Sequence, residues 1–169
     1  LNTSNTLSLA NSNNLSSPAN INLDQVRLFN TALTPLEVES LYQERTVVCG
    51  GQADTLDILG DGSCIATYQL NGNANDLSGN YSGTPTDVSY GVGEFDLAGV
   101  FDGSSSKIDF INPIPNTDTD CSFSVWVNFS SVPTTGAVCL FGNQSANVFA
   151  SFLSFFYFHS DGVGISFER

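Results

Sequence analysis

At 169 residues, 41% of them apolar and thirteen of them Phe, the chain can bury a real core, which excludes intrinsic disorder. Only 12% of residues are charged, seventeen acidic against four basic, for a formal net charge of −13. Arg27, Arg45, Lys107 and Arg169 are too scattered to form a basic patch, so nucleic acid is excluded as a partner and anionic membrane surfaces are disfavoured. The longest apolar run, Ala146 to Phe158, is thirteen residues and falls short of the roughly 18–20 that span a bilayer, so no membrane insertion is expected.

Ser, Thr, Asn and Gly do the solubilising that exposed helices usually take from Lys, Glu and Arg, which points to strands and turns. Leu7-Ser8-Leu9 reads as a short strand. Ile21 to Phe29 reads as a longer one, with Ile21, Leu23, Gln25, Arg27 and Phe29 on one face and Asn22, Asp24, Val26 and Leu28 on the other. Neither face is uniformly apolar. Thr34-Pro35-Leu36-Glu37 is a helix start, with Thr as N-cap, Pro at the first helical position and Glu closing a capping box. Leu36, Val38, Leu41 and Tyr42 are expected to anchor that one short helix on a sheet.

Residues 45–62 form an acidic, Gly-rich linker by composition. A new unit opens at Cys64 with the strand CIATYQL and runs into the polar loop NGNANDLSGNYSG. Val100-Phe101 leads through DGSSS into the strand KIDF. The clearest alternation is CSFSVWVNF, with Cys121, Phe123, Val125, Val127 and Phe129 on one face and Ser122, Ser124, Trp126 and Asn128 on the other. Further strands are expected over residues 137–141, 148–159 and 164–167. Short strands separated by turn signals predict an all-β antiparallel sandwich or jelly roll with one short helix.

Two stretches carry a family likeness. Residues 65–110, from IATYQLNGNANDLSGN to the SSSKIDF strand, followed by FSVWVNF, resemble the opening half of laminin-G-like jelly rolls of the concanavalin A-like lectin/glucanase superfamily. INLDQVRLFNTALTPLEVESLY resembles the closing half, an Asp-x-x-Arg strand leading into a helix that ends in Leu-Tyr. The order is inverted for one domain. Residues 1–44 therefore read as the C-terminal part of one repeat and residues 63–169 as the N-terminal part of the next. A neighbouring copy or a longer parent chain is expected to complete each sandwich, with circular permutation within one chain as the rival. The absence of any Met and of a signal peptide also suggests a segment of a longer protein.

The resemblance implies an extracellular or virion-surface setting, tandem copies of the same unit, and glycans or a host surface as the binding partner. It also implies a structural Ca²⁺ where the opening loop meets the closing strand, at positions matching Asp24 and Asp76. In such a setting Cys49 and Cys64 are expected to be bonded, because closing a loop of about fifteen residues gains roughly 3 kcal/mol. Cys121 and Cys139 fall on apolar-facing positions and are expected to be buried thiols.

Catalysis finds little footing. The β-glucan-cleaving relatives need the spacing Glu-x-Asp-x-x-Glu on a strand, and the nearest match, Glu94-Phe95-Asp96-Leu97-Ala98-Gly99, lacks the last carboxylate. His159 is the single histidine and has no nucleophile elbow or zinc-ligand partners in the sequence. Trp126, the lone tryptophan, is expected in the core, and an exposed position stacking on sugar rings is the alternative. The function expected is a non-catalytic adhesion or carbohydrate-binding module, with a purely structural filament block as second reading and a glycan-cleaving enzyme as the least favoured.

Overall fold

The computed structural model describes residues 6–10, 19–44, 57–111, 120–130, 137–143, 155–159 and 165–168. Their strands are β1 (Thr6–Leu9), β2 (Asn20–Phe29), β3 (Cys64–Tyr68), β4 (Thr84–Thr86), β5 (Ser89–Val92), β6 (Leu97–Asp102), β7 (Lys107–Ile111), β8 (Ser122–Phe129), β9 (Ala137–Cys139), β10 (Phe141–Asn143), β11 (Phe155–His159) and β12 (Ile165–Glu168). One helix, α1 (Pro35–Tyr42), stands among them. The chain is an all-β antiparallel sandwich with one short helix, as its composition predicts.

One layer has the order β10-β1-β7-β4, and β12-β11-β9 extends it, since β9 and β10 are one stretch of chain broken at Leu140 and β10 lies beside β11. The other layer is built on β2. Along one edge β2 pairs β8 from Ile21↔Phe129 to Phe29↔Ser122. Its other edge is shared: β6 takes Asn20 to Leu23 and β3 takes Val26 to Phe29. β5 then pairs β6. Leu7, Leu9, Ile108, Phe110 and Phe141 from the first layer meet Ile21, Leu23, Leu28, Tyr68 and Phe101 from the second in one core.

The mixed faces of β2 have a physical resolution. The register against β8 passes from Asp24↔Trp126 to Arg27↔Ser124, so two residues on β2 face one on β8. Gln25 sits in this bulge with φ +48. A bulge shifts the phase of alternation by one residue. Ile21 and Leu23 before it, and Val26 and Leu28 after it, therefore all join the core, while Asp24, Arg27 and Phe29 point outward.

α1 begins as expected. The Thr34 N–H donates to Glu37 Oε2 at 2.6 Å, and Thr34 Oγ1 accepts the Glu37 N–H at 3.4 Å. Its packing differs from the expectation: of the four apolar anchors only Leu41 is buried, against Phe29 and Cys64 with Leu33, Ile58 and Leu59. Leu36, Val38 and Tyr42 are exposed. Eight residues make just over two turns, so the face that carries Leu41 and leads to Glu44 is the one held to the sheet, and the rest point away.

β1 and β2 pair with strands of their own chain, β1 with β7 and β10, and β2 with β3, β6 and β8. Leu23 stands opposite Val127 in the ladder and shares the core with Val125 and Val127. The end of the expected linker is docked too, since Ile58 and Leu59 pack beneath α1. Among the described residues no helix is long and apolar enough to cross a membrane.

Candidate functional site: an aromatic cluster over a buried carboxylate

The outward side of the β2–β8 ladder collects the groups with chemistry. Asp24 and Trp126 are directly opposite each other. Trp126 is therefore not in the core: it lies on the outer face, half-buried. The Tyr42 ring, delivered by the last turn of α1, stacks on it with centroids 6.1 Å apart and planes at 15°. Phe95, from the loop before β6, meets it edge-on at 5.7 Å. Tyr42 is 68% exposed, so the stack presents an open aromatic ring to solvent.

The loop carrying Phe95 is fastened to Asp24. The Phe95 N–H donates to Asp24 Oδ2 at 2.8 Å, and the Gly93 N–H closes the loop onto the Asp96 carbonyl at 3.0 Å. Gly93 has to be glycine: a Cβ there would stand 2.6 Å from Asp24 Oδ2 and 2.9 Å from the Leu97 carbonyl carbon. Asp24 itself is 3% exposed, and its Oδ1 has no hydrogen-bond partner among the described residues. Burial pushes its carboxyl up to about 6, against the opposing pull of the Phe95, Gln25 and Glu94 N–H groups and of Arg27.

Arg27 anchors the same face. It is 1% exposed and grips Glu44, just beyond α1, through two bonds of 2.6 and 2.7 Å, with Gln25 Oε1 accepting a third at 3.0 Å. The ion pair ties the helix end to β2 and so places Tyr42 beside Trp126.

Asp76, the other expected calcium ligand, is a loop organiser. Its Oδ1 accepts the N–H groups of Thr67 at 2.9 Å and Ser78 at 3.2 Å, while Oδ2 accepts the Ser78 hydroxyl and the Tyr81 N–H. Its oxygens are occupied by donors, whereas Asp24 keeps one open. Among the described residues no three His, Cys, Asp or Glu side chains gather as a metal-ligand group. Glu94 and Asp96 are exposed in the loop between β5 and β6, not side by side on a strand.

Cys64 is a buried free thiol whose Sγ lies 3.3 Å from Thr67 Oγ1, and burial raises its pKa. Its expected partner Cys49 lies outside the described residues. Cys121 is exposed one residue ahead of β8, correcting the expectation of a buried position: the strand begins at Ser122 and the inward alternation starts with Phe123. The side chains of Cys139 and His159 are outside what is described. Sequence reading missed Phe95 and the Arg27–Glu44 pair, and placed Tyr42 under the helix. Only the Asp-x-x-Arg spacing of Asp24 and Arg27 hinted that β2 carries an outward polar face.

No protein-family model, curated protein or solved structure shows significant similarity to this chain.

Proposed function

We propose that the chain is a non-catalytic carbohydrate-binding adhesion module, a laminin-G-like jelly-roll unit of a repetitive surface or virion protein, exposed outside the cell. The observation that supports it is the Tyr42–Trp126–Phe95 cluster on an outward sheet face. Sugar rings present C–H faces that lie on aromatic rings, and an indole stacked by an exposed phenol offers such a platform. A chain rich in Ser and Asn suits hydroxyl-rich ligands, and the −13 charge repels phosphate polymers.

A glycan array followed by titration calorimetry tests the reading. Trp126→Ala and Tyr42→Ala should each weaken the best glycan by about ten-fold, the worth of one stacking contact. Absence of any hit, or a hit unaffected by both changes, removes the reading. A structural Ca²⁺ belongs to the same proposal and would rest on Asp24 Oδ1 with carbonyl or amide oxygens, because Asp76 is already engaged. The expected outcome is that Ca²⁺ raises the thermal midpoint of the wild type and not that of Asp24→Asn.

A further inference from the structure

The platform of Tyr42, Trp126 and Phe95 stands in an acidic setting. Phe95 has Glu94 on one side in sequence and Asp96 on the other, both exposed. Asp24, opposite Trp126 in the ladder, is 3% exposed, and its Oδ1 has no hydrogen-bond partner among the described residues. Burial brings its carboxyl up to about 6, so at neutral pH it carries a charge. Tyr42 is the last residue of α1, at the end where a helix presents its carbonyls, and no base stands in that last turn. Glu39, exposed three residues earlier, adds another carboxylate.

Among the described residues no base is left to offset this charge. Arg27 is buried and spent on Glu44 and Gln25. Lys107 belongs to the other layer and pairs with Asp109 at 2.7 Å. Ser122 to Phe129 of β8 carries no charged side chain at all. The rings say what kind of cation fits. A small onium ion is held by aromatic faces that converge on it from several sides. Here the Tyr42 and Trp126 planes lie within 15° of each other, and Phe95 meets Trp126 edge-on. Rings in that order make a slab, not a box. A slab suits the C–H face of a sugar ring, and the carboxylates around it suit an ammonium group carried on that ring.

We infer that the platform selects an amino sugar with a free amine, the glucosamine class, its ring on the aromatic stack and its ammonium toward the loop Gly93 to Asp96. This rests on the carbohydrate reading and adds to it the charge of the sugar.

Calorimetric titration provides the test, in metal-free buffer so that no divalent cation at Asp24 offsets the field, and at a pH that keeps sugar amines charged. The probes are the tetramers of glucosamine and N-acetylglucosamine and cellotetraose, which share one backbone and differ at one ring carbon. At low salt the glucosamine tetramer should bind about ten-fold tighter than cellotetraose. The advantage should shrink at about 1 M salt, where the Debye length is about 3 Å. Glu94→Gln with Asp96→Asn should cut the advantage by about five-fold. Asp87→Asn with Asp120→Asn removes the same charge from exposed positions elsewhere and should leave it intact. Trp126→Ala should weaken the glucosamine tetramer by about ten-fold. Equal binding of the glucosamine tetramer and cellotetraose overturns the inference and leaves the carbohydrate reading standing. Failure of the glucosamine tetramer to bind while neutral glycans bind on the array does the same, whereas an empty array removes the reading itself. An advantage that outlasts the Glu94 and Asp96 changes, or the loss of Trp126, also overturns it, because the −13 charge would then be drawing a polycation at large. Tetramethylammonium binding as tightly as the tetramer would show a cation cage in place of a sugar slab.

Discussion

Arg27 and Asp24 are both buried charges on β2, and they are treated in opposite ways. Arg27 is matched by Glu44 in a two-bond grip, so removing one partner leaves a charge stranded in the sheet. Glu44→Ala should cost about 3–5 kcal/mol in urea denaturation, and Arg27→Met with Glu44→Leu should recover most of it. Asp24 has donors on one oxygen only. Its carboxyl titrates near 6, above the value of about 3.9 in an unfolded chain, so the folded state holds the proton more tightly. Stability from this group is therefore full below about pH 4 and is lost as pH rises through 6. In a metal-free buffer the difference in thermal midpoint between wild type and Asp24→Asn should shift in favour of the variant across that window. A difference flat in pH would show that Asp24 titrates as an ordinary surface acid.

At the scale of elements, α1 is too short to persist by itself, so it depends on its cap, on Leu41 and on the Arg27–Glu44 pair. Thr34→Ala should cost about 1 kcal/mol. As the helix frays, Tyr42 leaves Trp126, and the tryptophan emission should shift to the red; an unchanged spectrum would mean that the cap does not position the ring. The start of this helix was legible because capping is local chemistry. Which residues it buries was not, because eight residues can lie on a sheet by any face and Glu44, outside the helix, chooses. β8 was legible in full, since it alternates without interruption. β2 was legible in extent but not in facing, because one bulge at Gln25 re-phases everything after Asp24. β4 and β5 escaped notice because Thr84–Thr86 is wholly exposed and Ser89–Val92 is at most half-buried, so neither carries a strong apolar face. Of the candidate site, Asp24 and Trp126 were named from sequence. Phe95 was not, as it comes from a loop brought there only by a hydrogen bond to a residue seventy-one positions away.

For the whole molecule the decisive element is β2. Among the described residues it is the one strand that pairs with three others, and its partners β3, β6 and β8 all come from the part of the chain beyond residue 62. Ile21, Leu23, Val26, Leu28 and Phe29 are at 0–1% exposure. At about 1.5–3 kcal/mol for each buried side chain, those five contribute roughly 7–15 kcal/mol, which matches the whole net stability of an ordinary domain. The sandwich therefore has no stable form without residues 20–29. A chain beginning at residue 63 should be unfolded by circular dichroism and should regain strand signal when the 1–44 segment is supplied as a separate peptide. If a protease site is placed between residues 50 and 56 and cut after folding, the two pieces should co-elute and melt in one transition. Separation of the pieces with the larger one still folded would show that β2 is an accessory strand, and that the sandwich of residues 63–169 closes by other means.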